Sequence, residues 1–285
     1  MKTAISYHRT LLVLLSVTIG TLAMAQQRPF PGESDPWIFT GIHPFLKALN
    51  TSGGEPLETL SPPAAPQVSV KDQESVEGDY SGINEATAII NQDGMQVRVH
   101  IVKPKGTKKN APAFVFIHGG GWVLGDYPTH RRLVRDLVVS SGAVALFPDY
   151  TPSPEAQYPK AINEIYATLE WVAEHGDRIG VNGKNLALVG NSVGGNMTAA
   201  VALMAKDKKG PEIKVQVLLW PVTDANFETE SYNLFSEGRF LTKNMMKWFW
   251  DKYLPEVEKR KEIYASPLQA SLEQLKGLPP SLVQT

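Results

Sequence analysis

Along this chain, strict alternation of apolar and polar residues gives way to continuous apolar runs. Met95, Val97, Val99 and Ile101 alternate with Gln96, Arg98 and His100, behind an Asp93-Gly94 hairpin turn. A period of two predicts a strand with one solvated face, in regular β structure beginning near Ala86, with His100 at the surface. Further on, Phe114-Val115-Phe116-Ile117, Ala143-Val144-Ala145-Leu146-Phe147 and Leu186-Ala187-Leu188-Val189 are apolar throughout, and the stretch from Val215 to Trp220 is interrupted only by Gln216. Strands buried on both faces need that pattern. Between the runs the spacing turns helical. Leu133, Val134, Leu137 and Val138 predict a helix closed by Gly142, and a second runs from about Pro159 to His175 and ends at Gly176. Met197, Ala200, Val201 and Met204 mark a third. His175, in a last helical turn, meets the negative helix end, which accounts for it without chemistry. Strand and helix in alternation predict an α/β fold, a mostly parallel sheet with helices on both faces.

The ends of the chain read differently. Lys2 and Arg9, the apolar stretch Leu11 to Ala23 and the small-x-small site Ala23-Met24-Ala25 predict a signal peptide over residues 1–25 and a periplasmic or secreted protein. The apolar stretch is too short for a convincing span, so no stable membrane anchor is expected after cleavage. Removing 25 of the 285 residues leaves 260, enough for one large α/β domain. With no cysteine there is no disulfide framework despite export, and stability must come from a core. The formal charge of −1, about −3 after cleavage, without any basic cluster of consequence, argues against nucleic acid as a partner. Trp37, Ile38, Ile42, Phe45, Leu46 and Leu49 predict a short amphipathic helix around residues 36–50, and Ser61-Pro62-Pro63-Ala64-Ala65-Pro66 a stiff linker.

Two motifs carry chemistry. Gly190-Asn191-Ser192-Val193-Gly194-Gly195-Asn196 lies between a predicted buried strand and a predicted helix. A serine on so sharp a turn takes strained dihedrals and needs neighbours without Cβ, which is the G-x-S-x-G elbow that exposes a nucleophile at a helix N-terminus. No Lys-Ser/Thr pair follows the glycines, so a phosphate loop is disfavoured. The second motif, His118-Gly119-Gly120-Gly121-Trp122, directly follows the run 114–117. Three glycines at the carboxyl end of a buried strand leave N–H groups free to face a ligand. An oxyanion hole needs donors from two segments, and this loop and Val193 supply them.

Together these motifs resemble the hormone-sensitive-lipase-like esterases, a branch of the α/β-hydrolases. Asp149-Tyr150 through Pro154-Glu155, Tyr158-Pro159, Trp220-Pro221-Val222-Thr223-Asp224 and Leu278-Pro279-Pro280 extend the resemblance from about residue 34 to Thr285. It implies Ser192 as the nucleophile, the N–H groups of Gly120, Gly121 and Val193 as the oxyanion hole, a small-molecule ester as substrate, and neither cofactor nor metal. It also implies a single domain over 26–285 with a helical cap, formed by an N-terminal arm at 26–71 and an insertion at 225–265. In that insertion Met245, Met246, Phe249, Trp250 and Tyr253 share a helical face after Thr242. Asp224, the first Asp after Ser192, matches a position that is not the family's triad acid and reads as structural. The family usually has Asp at position 191, so Asn191 takes a charge from beside the nucleophile, and often Ala at 193, where only the backbone is needed.

Such hydrolases order their triad Ser, then Asp or Glu, then His. The six histidines, His8, His43, His100, His118, His130 and His175, all precede Ser192. In the family the acid follows the strand that begins at about Ser281, and the histidine comes later still. The expectation is therefore a fold whose C-terminal strand, acid and His region are absent, an unpaired sheet edge at 281–285, and a truncated chain without activity. A non-catalytic binding protein of the same fold is the alternative, as is an amidase or serine peptidase. The intact strained serine favours an enzyme, since binding alone has no use for it.

Overall fold

The turn at Asp93-Gly94 sets the first register of the sheet. Both residues take positive φ, 49° and 73°, as a tight hairpin requires. β1 (Ile83–Gln92) therefore pairs antiparallel with β2 (Met95–Pro104), from Gln92 opposite Met95 to Ile83 opposite Pro104. The structure, a computed structural model, describes residues 32–53, 55–60 and 78–285. The signal expected at 1–25 and the linker Ser61–Pro66 lie outside the described residues.

β2 also pairs antiparallel with β4 (Val144–Pro148), and every later pairing is parallel. β3 (Ala111–Ile117) lies between β4 and β5 (Val181–Asn191), followed by β6 (Ile213–Leu219) and β7 (Ser281–Gln284), in the order β1-β2-β4-β3-β5-β6-β7. The mostly parallel sheet read from the apolar runs is thus present. β5 is longer than its run because polar Asn182, Lys184 and Asn185 occupy its less buried first half. β6 stops before Trp220, whose φ of 38° cannot continue a strand. β7 pairs with β6 alone among the described residues, and all four of its residues are exposed.

Three helices sandwich this sheet. α2 (Tyr127–Ser141) starts in a capping box, in which Asp126 accepts from the Thr129 N–H and Thr129 from the Asp126 N–H, and ends at Gly142 with φ 70°. Its Val134 and Val138 pack with Phe114, Phe116, Ala145 and Phe147. Val115 and Ile117, pointing the opposite way, are equally buried. α3 (Lys160–His175) and α4 (Val193–Asp207) pack on each other and on the central strands. At about 25 cal/mol per Å² of apolar surface, this two-sided burial is the main stabilising term.

One surface expectation fails. His100 alternates away from the core as its period demands, yet its Nε2 meets Asp149 Oδ2 at 3.1 Å and its ring stacks on Tyr127 at 4.2 Å. α2 and the segment after β4 cover that face of β2.

The chain divides into two compact units, Met1–Gly54 with Phe227–Lys243, and Glu55–Asn226 with Asn244–Thr285. The sheet belongs to the larger. In the smaller, α1 (His43–Thr51) is shorter than the stretch 36–50 suggested, with Pro44 in its first turn and Trp37 in the irregular segment before it. Only Leu46 of its apolar set is buried. Asp35 ties this unit together, pairing with Arg239 at 2.6 Å and accepting from the Trp37 N–H at 2.9 Å. α5 (Glu230–Leu234) also lies here. Of the stretch 225–265, residues 227–243 fall in the smaller unit and 244–265 in the larger. α6 (Lys243–Tyr253) buries Met246, Phe249, Trp250 and Tyr253, and α7 (Leu272–Leu275) precedes β7.

Candidate active site

β5 delivers Ser192 to the carboxyl end of the sheet, and α4 starts one residue later. Between them Ser192 takes φ 55° and ψ −121°, a strained pair for a residue with a Cβ. Close packing holds it there. A Cβ on Gly194 would lie 2.0 Å from the Ile117 carbonyl oxygen, and one on Gly190 2.3 Å from that of Gly194. Only glycines allow β3, the elbow and the first turn of α4 to approach this closely.

The loop after β3 runs past the same point. A Cβ on Gly119 would come within 3.1 Å of Ser192 Cβ, so the second motif and the serine are neighbours. Gly120 and Gly121 take φ 114° and 64°, and the Gly120 carbonyl turns inward to accept from the N–H groups of Val123 and Leu124 at 3.2 and 2.7 Å. The N–H groups of Gly120, Gly121 and Val193 donate to no acceptor among the described residues. With the positive end of α4 at Ser192, this arrangement can stabilise negative charge beside the serine.

Side chains fix the loop from behind. His118 is buried, stacked between Phe147 at 5.3 Å and Tyr150 at 4.2 Å, and its Nδ1 donates to the Gly119 carbonyl at 2.7 Å. Burial, with nearby His130 adding to it, pushes the His118 pKa down to about 3, so the ring is neutral. Asn191 Oδ1 accepts from the Gly119 N–H at 3.0 Å, and its Nδ2 faces His130 Nε2 at 3.4 Å. Trp122, with φ 61°, is held by a flat stack on Tyr253 at 4.3 Å and an edge contact with Trp250 at 4.7 Å. Phe249 of the same helix lies against Gly121, where a Cβ would meet its ring at 2.2 Å.

The structure therefore brings Ser192, Gly120, Gly121 and Val193 together. It brings no histidine to the serine: among the described residues, none hydrogen-bonds Ser192. Asp224 accepts from the Gln269 side chain and the Ala225 N–H, in keeping with a structural role. Sequence reasoning missed three residues that shape the loop. In the sequence Phe249 is only one of five apolar residues on a helical face, His130 only one of six histidines upstream of the serine, and Asn191 only a departure from a family pattern. The small size required of Gly121 was the one legible hint of a packed neighbour.

Known proteins share the fold that carries this site. The alpha/beta hydrolase fold family matches residues 114–285. Carboxylesterase NlhH of Mycobacterium tuberculosis is 31% identical over 198 residues, 69% of this chain and 62% of that protein. Carboxylic ester hydrolase LipN of the same organism is 39% identical over 178 residues, 60% of this chain and 47% of that protein. Among solved structures, a thermostable esterase from Pseudomonas putida superposes with a TM-score of 0.87 at 57% identity, covering 88% of this chain and 79% of that one. The chain spans under two thirds of the length of the curated relatives it matches.

Proposed function

Because the chain belongs to the hormone-sensitive-lipase-like branch of the α/β-hydrolase family, we propose that it hydrolyses small-molecule carboxylic esters through an acyl-enzyme on Ser192. Ser192 Oγ attacks the ester carbonyl carbon as its proton passes to a base. The carbonyl oxygen becomes an oxyanion, held by the N–H groups of Gly120, Gly121 and Val193. Collapse breaks the bond to the alkoxy oxygen, the alcohol leaves with the proton, and water releases the acid by the reverse sequence. The reading assigns the nucleophile and the oxyanion donors and leaves the base unnamed, since no histidine among the described residues hydrogen-bonds Ser192.

One observation carries the reading: the strained Ser192 abuts a glycine loop in which the N–H groups of Gly120 and Gly121 meet no acceptor among the described residues. Spare donors beside a strained hydroxyl suit charge that develops only in a transition state. The test is hydrolysis of a short-chain nitrophenyl ester by the protein at the length its gene encodes, with fluorophosphonate labelling mapped by peptide. Label on Ser192, and loss of turnover in Ser192→Ala, are expected. A label that persists in Ser192→Ala refutes the assignment. We also propose export with cleavage before Gln26; a mature protein that still begins at Met1 would overturn it.

A further inference from the structure

Gly119 precedes the two proposed oxyanion donors of the loop, and side chains hold both of its backbone polar groups. His118 takes the carbonyl, and Asn191 takes the N–H. The Asn191 amide has two possible orientations, and only the one with oxygen toward Gly119 makes this bond. Its nitrogen side decides. The Asp126 carbonyl, which can only accept, lies 3.1 Å from His130 Nδ1, so that nitrogen carries the proton. Thr129 Oγ1, 3.0 Å away, accepts from it as well. Nε2 is then a bare acceptor, 3.4 Å from Asn191 Nδ2. Burial holds His130 below the ordinary histidine range and keeps it neutral. The titratable groups facing it are His118, its ring 5.3 Å away, and Asp126 at the head of α2.

We propose that Asn191 is a positioning residue for ester hydrolysis: His130 fixes its amide orientation, and the amide fixes the oxyanion loop through Gly119. The proposal deepens the reading of Ser192 above and rests on it for its kinetic consequence. It also accounts for an amide at this position. A carboxylate would set an oxygen lone pair against the lone pair of His130 Nε2, and relief would require protonating a buried ring. An amide satisfies both neighbours without charge.

The test combines kinetics with two readouts that need no activity. Asn191→Leu keeps the branched shape, at a larger volume, and removes both hydrogen bonds. It is expected to lower kcat by about 10- to 100-fold, as for displaced rather than deleted donors, with KM within about twofold. The Gly119 N–H should exchange with solvent faster in that variant than in wild type. Asn191→Asp should impair kcat similarly, and Asn191→Asp with His130→Gln, which supplies a donor to the new carboxylate, should recover most of it. Nitrogen NMR of the wild-type protein should show His130 neutral and protonated on Nδ1. An unchanged kcat in Asn191→Leu, a fall expressed only in KM, or a His130 protonated on Nε2 at neutral pH overturns the proposal. If the wild type hydrolyses no ester, the proposed function fails, and the Gly119 exchange and His130 tautomer still decide the positioning.

Discussion

The ring of Phe249 lies against Gly121, leaving no room for even one methyl group: a Cβ there would be 2.2 Å from Phe249 Cδ1. A helix far along the sequence thereby presses on the loop that carries the proposed oxyanion donors. Trp122 and Tyr253 stack beside that contact, so the loop is clamped by aromatic surface as well as hydrogen-bonded from behind. Strain at Trp122, which has positive φ, persists because these contacts over-determine it.

Gly121→Ala is therefore expected to reduce kcat by about 10²–10³, the effect of losing one oxyanion donor. Two costs combine in it, the positive φ of 64° and the clash with Phe249. Adding Phe249→Ala removes only the clash. Kinetics of the single and double variants separate the terms: partial recovery is expected, and a double variant no better than the single one would sink the clamp.

The strands and helices of the larger unit were legible because each buries a whole face, and burial writes its period directly into the sequence. β3, β4 and β5 stand between other strands, so their runs carry no polar residue where both faces are covered. α1 was less legible, since most of its apolar residues are exposed and its pattern reports no core. The elbow and glycine loop were legible as motifs because a positive φ or a close approach excludes most residue types. Their supports were not. Asn191 and His130 lie 61 residues apart, and nothing local in either stretch says that α2 will set one beside the other. His100 misled for the same reason: alternation says which way a side chain points, and not what covers it.

In the smaller unit the Asp35–Arg239 pair is nearly buried on both sides, with side-chain exposures of 6% and 14%. Removing the carboxylate leaves a guanidinium with little water to replace it. Asp35→Ala is expected to cost about 3–5 kcal/mol of local stability. Hydrogen exchange should show His43–Thr51 exchanging faster while β3 and β5 keep their protection. Equal loosening of the sheet would show that the pair's role is not local.

Arg260 anchors the end of α6. Its Nε donates to the Leu254 carbonyl at 2.7 Å, its Nη2 reaches Asp251 at 2.7 Å, and its guanidinium lies 5.9 Å from the Trp250 ring. Lysine keeps the charge and loses the fork. Arg260→Lys is expected to lower stability by about 1–3 kcal/mol, the scale of a lost charge-assisted hydrogen bond. Urea unfolding followed by tryptophan fluorescence reads it through Trp250. A variant as stable as wild type would show that the fork adds nothing beyond charge.

Acid should loosen the site from behind. His118 is buried and neutral, its pKa pushed down to about 3 by burial first and by His130 second; His130 is lowered too, mainly by burial. In the unfolded chain both rings titrate near the ordinary value of about 6.5. Between those values the unfolded state binds more protons than the folded one, so stability rises with pH across the window. The contribution is complete above about pH 6.5 and is lost as pH falls toward about 3. Carboxylates give the same sign but titrate mostly below about pH 5. The diagnostic range is therefore pH 6.5 to 5, where histidine protonation dominates. Urea midpoints measured across it should fall steadily with acidification. His118→Gln is expected to start from lower stability, because it gives up the stack on Tyr150 and Phe147, yet to show a shallower slope. An unchanged slope would mean that the buried ring at position 118 is not what acid must charge.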